Sequence, residues 1–252
     1  MIKTTDPSKI NFKQLFSLQD KIIIITGNKG LIGKAFEEAC TQFGAIVVGW
    51  DLPEIDISNV DTIKNEIQNI LKKYNKIDGL VNCHQYIGPG FFDYFEEYND
   101  KEWDKIIDIN LKGVYNTCKL VGQQMKIQQC GSIVNIPSTY SVVAPNQSLY
   151  DGLKTPIKSP ASYAASKGGV IALSKYLATY WADKNIRVNM ITPHGVWNNH
   201  EARFEENFSK LSPMKRLSFN YEVAGGLIYL LSDASSYVTG HNLIIDGGWT
   251  TW

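Results

Sequence analysis

The chain has 252 residues, with 25 basic and 25 acidic side chains and no formal net charge, which excludes a charge-driven nucleic-acid or anionic-membrane partner. No apolar run approaches the ~18 to 20 residues of a membrane span, and residues 1–19 lack the apolar centre of a secretory signal, so they read as a short leader of a cytoplasmic protein. The cysteines (Cys40, Cys83, Cys118, Cys130) and histidines (His84, His194, His200, His241) are scattered, with neither a C-x-x-C pair nor metal-ligand spacing, so buried thiols are expected and no metal is assigned.

Residues 21–26 read KIIIIT, a continuous β-branched run suited to a strand buried on both faces, and a glycine turn follows at once. Leu31, Ile32, Ala35, Phe36 and Ala39 then recur at helical spacing until Gly44, and AIVVGW (45–50) predicts a second buried strand. Geometry makes such a strand–helix–strand unit parallel and right-handed. Helices are predicted over 60–74, 103–125, 161–184 and 221–232, and strands over 79–83, 131–136, 187–192 and 242–246. The alternation argues for an α/β fold, a single Rossmann-type doubly wound parallel sheet with helices on both faces, and for one domain over 1–252. Two polar stretches interrupt it, 139–159 and 194–220, and both leave the strand ends where open α/β sheets bind ligands, so they are expected to be substrate loops.

The glycine turn reads TGNKGLIG (26–33). Gly27 permits the tight turn out of the strand, Gly30 lets backbone approach a pyrophosphate, and Gly33 lets the helix pack close, while the helix N-terminus offers amides and a positive dipole. With a strand before it and a helix after it, this turn points to a dinucleotide site. Asp51 follows Gly27 by 24 positions (51 − 27), where a carboxylate binds the ribose hydroxyls of NAD and repels the extra phosphate of NADP. Lys29 pulls the other way, so NAD is the favoured cofactor and NADP stays open. Asp56 either accepts from the adenine amino group or caps the helix starting near Val60.

In SPASYAASKGGVIALSKYLA (159–178), Tyr163 and Lys167 are four apart, which puts them on one helix face with Cβ atoms about 5 to 6 Å apart. A phenol is a poor base near neutral pH, but a neighbouring cation favours its phenolate and makes it a general acid/base. From this stretch alone an ordinary surface pair fits equally well.

Taken in order, the glycine turn, Asn110 in INLKG, Ser138 after NI, YAASK (163–167), IRVNMITPHG (186–195) and YLLSDASSYVTGHNLIIDGG (229–248) resemble the compact, single-domain short-chain dehydrogenases/reductases. The resemblance covers about residues 20–249. It implies an NAD(P)-dependent oxidoreductase that moves a hydride between nicotinamide and a secondary alcohol or ketone. Tyr163 is then the acid/base, Lys167 lowers its pKa and holds the nicotinamide ribose, Ser138 hydrogen-bonds the substrate oxygen, and Asn110 supports a water leading protons to Lys167. Cofactor contacts are implied for Ile32, Ile57, Asn82, Pro193, Gly195 and Val196, beside Gly27, Lys29, Gly30, Gly33, Asp51, Asp56, Tyr163 and Lys167. Singly, Ser138 can be a strand-end cap, Asn110 a helix-kink residue and Lys167 a solvated charge; together those alternatives fail. The family also implies a homodimer or homotetramer through the helices of Asn110 and Tyr163, with Trp249 and Trp252 packing across a subunit boundary.

The chain departs from the family at several points. Asn82-Cys83-His84-Gln85 stands where NNAG is usual, so His84 either reaches the cofactor or fills space, with filling favoured; Pro137 stiffens the approach to Ser138; Trp197 and Asn198 stand where a carboxamide-binding Thr is common. Ser138 and Tyr163 are 25 apart (163 − 138), longer than usual. That connection is polar (Asn146, Gln147, Tyr150, Asp151, Lys154, Lys158), as is the second loop (Asn198, Asn199, His200, Arg203, Lys215, Arg216), whereas an acyl-chain pocket wants apolar lining. STYSVVAPNQSLYDG is similar to members associated with bacterial surface-sugar and flagellin modification. A small polar molecule is therefore expected as substrate: a sugar, sugar phosphate or nucleotide sugar. The rival is a 3-oxoacyl or other carbonyl reductase; a non-catalytic cofactor-binding regulator needs none of the Ser138, Tyr163, Lys167 set.

Overall fold

The computed structural model of the protein describes residues 6–252. Six strands, β1 (Ile22–Thr26), β2 (Ile46–Trp50), β3 (Gly79–Asn82), β4 (Gly131–Asn135), β5 (Ile186–Pro193) and β6 (Asn242–Ile245), form one parallel sheet in the order β2-β1-β3-β4-β5-β6. The helices are α1 (Phe12–Leu15), α2 (Leu31–Gln42), α3 (Val60–Tyr74), α4 (Asp100–Ile107), α5 (Gly113–Gln128), α6 (Ala161–Tyr180), α7 (Ala202–Leu211) and α8 (Ala224–Leu231). Order reverses between β1 and β3, which opens a crevice at the carboxyl ends of those strands.

Side-chain alternation divides the core into two layers. Ile22 and Ile24 of β1 join α3, α5 and α6 on one face, while Ile23 and Ile25 join α2 and α8 on the other. All four isoleucines are buried, each worth about 1.5–3 kcal/mol relative to exposure. The doubly wound sheet expected from the alternation is thus present. A smaller cluster of Leu149, Phe208, Leu217 and Trp249 lies under α7.

Several local expectations are corrected. The 45–50 strand is not buried on both faces: β2 is the sheet edge, paired only with β1, and leaves Ile46 exposed while Trp50 is covered. The helix predicted over 103–125 is two helices, α4 and α5, joined by a π-helical turn Asp108–Lys112. The 194–220 loop contains α7, whose Phe204, Phe208 and Leu211 repeat at helical spacing and pack on the small cluster. In 139–159 there are two 3-10 turns, Thr139–Ser141 and Gln147–Tyr150. The 221–232 helix begins as a 3-10 turn, Asn220–Val223, before α8.

Within the expected leader Leu18 is fully buried in the core, and residues 1–5 lie outside the described residues. Trp249 packs within its own chain, stacked on Phe208 at 5.0 Å and beside His194 at 4.4 Å; Trp252 is exposed. Consecutive left-handed Gly247 and Gly248 fold the terminus back to place it there. Among the described residues, no helix is long and apolar enough to cross a membrane.

Candidate active site

A cleft of about 790 Å³ runs along the carboxyl edge of the sheet. At its outer end β1 passes into the glycine turn. Gly27 has φ +69°, and a Cβ there would lie 2.7 Å from the His84 Cα; a Cβ on Gly33 would lie 2.1 Å from the Gly27 carbonyl oxygen. Only glycine fits such backbone-on-backbone contacts. Gly30 is the N-cap of α2 and offers no side chain to its first amides, so the helix opens on unsatisfied N–H groups. A pyrophosphate fits this cradle, because it accepts those amides and meets the positive end of the helix dipole.

Asp51 stands beside the cradle. Its carboxylate accepts the Lys29 and Leu52 amides, each at 2.9 Å, and the Lys29 ammonium turns away to Glu54 and to the Leu52 carbonyl at 3.1 Å. Asp56 and Ile57 line the cleft further out; Asp56 accepts from Ser58, and the N-cap of α3 is Asn59, so the helix-capping alternative for Asp56 does not hold. Ile32, Pro193, Gly195 and Val196 also line the cleft.

At the inner end, Ser138 follows β4 and Tyr163 and Lys167 rise from the first turns of α6, and all three line the cleft. Lys167 is buried and donates to the Ile136 carbonyl at 2.9 Å, with its Nζ 5.8 Å from the Tyr163 ring centroid. Burial lowers its pKa to about 8, with the Cys83 thiol opposing. Burial pushes the Tyr163 phenol above its ordinary value, and the Ser138 hydroxyl beside it pulls back. In the chain by itself burial therefore outweighs the lowering expected from Lys167, whose ammonium is drawn to Ile136. Ser138 also accepts the Tyr140 amide at 3.3 Å, so its strand-end capping role and its place in the cleft coexist.

Two expected site residues stand behind the cleft rather than on it. Asn82 is fully buried: its amide donates to Asn135 at 2.8 Å and to the Cys118 sulfur at 3.3 Å, and its oxygen accepts from Thr117 at 2.7 Å. Asn135 in turn donates to Ser174 at 2.8 Å, so this network ties β3 and β4 to α5 and α6. The Asn82 side chain, expected at the cofactor, is thus spent on this network. Asn110 sits in the π turn, where its oxygen accepts the Tyr86 amide at 2.7 Å and its amide donates to the Tyr86 carbonyl at 3.4 Å. π turns of this kind often mark functional sites.

His84 uses both ring nitrogens on the protein. The Ile109 carbonyl can only accept, so Nε2 carries the proton at 3.2 Å, and Nδ1 accepts the Thr26 hydroxyl at 2.7 Å. Burial, aided by Lys167, lowers its pKa to about 3, so the ring is neutral and braces the end of β1 against the π turn.

Sequence reasoning missed several groups at the substrate end. Tyr140 lines the cleft, with its hydroxyl 3.2 Å from that of Tyr150; His194 lines it too, bonded to Thr139, and Phe204 and Phe208 reach it from α7. The helical repeat of Phe204, Phe208 and Leu211 was the available signal.

A bound dinucleotide at the glycine cradle would place its far end toward Ser138, Tyr163 and Lys167, a hydroxyl, a phenol and an ammonium that line the same cleft. A family model described as Enoyl-(Acyl carrier protein) reductase matches residues 14–250. The NAD-dependent glycerol dehydrogenase of Listeria innocua is 32% identical over 95% of this chain and 97% of its own length. The post-translational flagellin modification protein A of Campylobacter coli is 29% identical, covering 92% and 99%. A solved short-chain dehydrogenase of Leptospira borgpetersenii with bound NAD+ superposes with a TM-score of 0.85 at 32% identity, covering 93% of this chain and 94% of that one. Fold, cleft and relatives agree: the chain belongs to the short-chain dehydrogenase/reductase family of NAD(P)-dependent oxidoreductases.

Proposed function

We propose that the chain, one unit over residues 1–252, is an NAD-dependent oxidoreductase acting on a secondary alcohol or ketone of a polyol, sugar, sugar phosphate or nucleotide sugar. The observation that carries this reading is the convergence of Ser138, Tyr163 and Lys167 at the inner end of a cleft whose outer end is the Gly27–Gly33 cradle. The nicotinamide cofactor, when bound, supplies or takes the hydride. Tyr163 takes or gives the proton at the substrate oxygen, and Ser138 donates a hydrogen bond to that oxygen. Lys167 holds the nicotinamide ribose, and its positive charge, with Nζ 5.8 Å from the Tyr163 ring centroid, offsets part of the burial that opposes the phenolate. Asn110 is a positioning residue acting through Tyr86 and the π turn. Asp51 holds the adenosine ribose, Asp56 and Ile57 border the adenine, and Pro193, Gly195 and Val196 border the nicotinamide end.

The polar substrate is supported by Asn198, His200 and Tyr140 at the substrate end and by the glycerol dehydrogenase relative. A second reading, reduction of the ketone of a 3-oxoacyl thioester, is favoured by the similarity to the 3-oxoacyl-[acyl-carrier-protein] reductase of Thermotoga maritima, 32% identical over 92% of this chain and 98% of its own length. The two separate in one assay series: NAD+ reduction with glycerol, threitol, mannitol and sugar phosphates, and NADH oxidation with acetoacetyl thioesters. Turnover is expected with at least one polyol or sugar, and faster turnover of the thioester than of every polar alcohol overturns the first reading. Tyr115 on α5 and Tyr176 and Tyr180 on α6 are exposed, which supports a homodimer or homotetramer through those helices, and four free cysteines among the described residues support a cytoplasmic setting.

A further inference from the structure

We propose that Glu54 sets the preference between the two nicotinamide dinucleotides, by engaging Lys29 and keeping its charge from a 2′-phosphate. The inference rests on the glycine cleft being the cofactor site. Lys29 is the cation that lines the cleft at the glycine turn, one residue before Gly30 and hydrogen-bonded through its own amide to Asp51. Its ammonium nevertheless commits two of its three N–H donors elsewhere, to a Glu54 carboxylate oxygen and to the Leu52 carbonyl at 3.1 Å. Asp51 and Asp56 line the cleft at the same end and add two carboxylates there, while the ammonium pairs with Glu54. A 2′-phosphate carrying about −1.5 to −2 at neutral pH must break the Lys29–Glu54 pair and then sit among those carboxylates. Asp51 alone would repel it; Glu54 additionally removes the counter-charge that would offset the repulsion.

Glu54 lies outside the cleft lining, and both partners of the pair are more than half exposed, so the pair adds little to stability and its consequence is discrimination. The Lys29 ammonium also holds the Glu54 carboxyl below its ordinary range, which keeps it charged near neutrality. A substitution at Glu54 therefore changes charge at the ribose position without disturbing the fold.

The test is calorimetric binding of 5′-ADP and 2′,5′-ADP to the full chain, which needs no substrate and no turnover. In Glu54→Gln the affinity for 2′,5′-ADP relative to 5′-ADP is expected to rise about fivefold, as for a partly screened surface charge. The gain should shrink as salt is added and vanish when Lys29→Met is combined with Glu54→Gln. An unchanged ratio in Glu54→Gln, or a gain that persists without Lys29, overturns the inference. Failure of the wild-type chain to bind 5′-ADP at all overturns the cofactor site itself, a separate result.

Discussion

The dinucleotide end of the cleft comes from one local unit, β1, the glycine turn and α2, whereas the substrate end is assembled from segments far apart in the chain. There, Tyr140 follows β4, His194 follows β5, Phe204 and Phe208 belong to α7, and Trp249 returns from the C-terminus to stack on Phe208 and pack beside His194. The first is fixed by backbone contacts that exclude every side chain but hydrogen at Gly27 and Gly33. The second is fixed by aromatic packing among loops. An end built from backbone geometry holds one ligand class, while an end built from side chains on loops can change substrate without changing the fold.

Trp249→Ala is the sharpest way to break the substrate end alone. Removing a buried tryptophan from the cluster under α7 should cost about 3–5 kcal/mol in urea unfolding, and the Michaelis constant for substrate should rise while NADH binding persists. Loss of NADH binding in step with substrate binding would show that the two ends are not separable. Gly33→Val is the converse. Its Cβ would meet the Gly27 carbonyl, which belongs to backbone and cannot swing aside, so the calorimetric dissociation constant for NADH should rise about 100-fold, the equivalent of overpacking at about 3 kcal/mol. Wild-type affinity in that variant would mean the cradle is not the phosphate site.

The same contrast explains what could be read from the chain. KIIIIT, the glycine turn and the helix after it announce a parallel unit, because period and turn chemistry are local properties. The Tyr163–Lys167 pair is local as well, since four residues on a helix make one face. Beyond reach were properties that depend on neighbours from elsewhere. The edge position of β2 exposes Ile46; the aim of the Asn82 amide depends on Asn135 and Thr117; and the engagement of Lys29 depends on where Glu54 falls after Asp51. The pKa of Tyr163 belongs here too. Spacing suggests a phenol lowered by a cation, but the packed site buries it and commits Lys167 to the Ile136 carbonyl. α7 is an intermediate case, since its Phe204, Phe208 and Leu211 repeat is local but sits in a segment whose polar composition reads as a loop.

If Tyr163 moves the proton at the substrate oxygen while the glycine cleft holds the cofactor, turnover needs the phenol hydroxyl and cofactor binding does not. Tyr163→Phe keeps the ring, and with it the edge contact to Phe91 at 5.9 Å, and removes only the hydroxyl. Steady-state NAD+ reduction with the best polyol or sugar substrate, paired with calorimetric NADH binding on the same preparation, tests the claim directly. The expected result is a fall in kcat of about 1,000-fold, within the range for loss of a general acid/base, with NADH affinity retained. A variant that keeps kcat within about tenfold of wild type, a loss too small for that role, would contradict it.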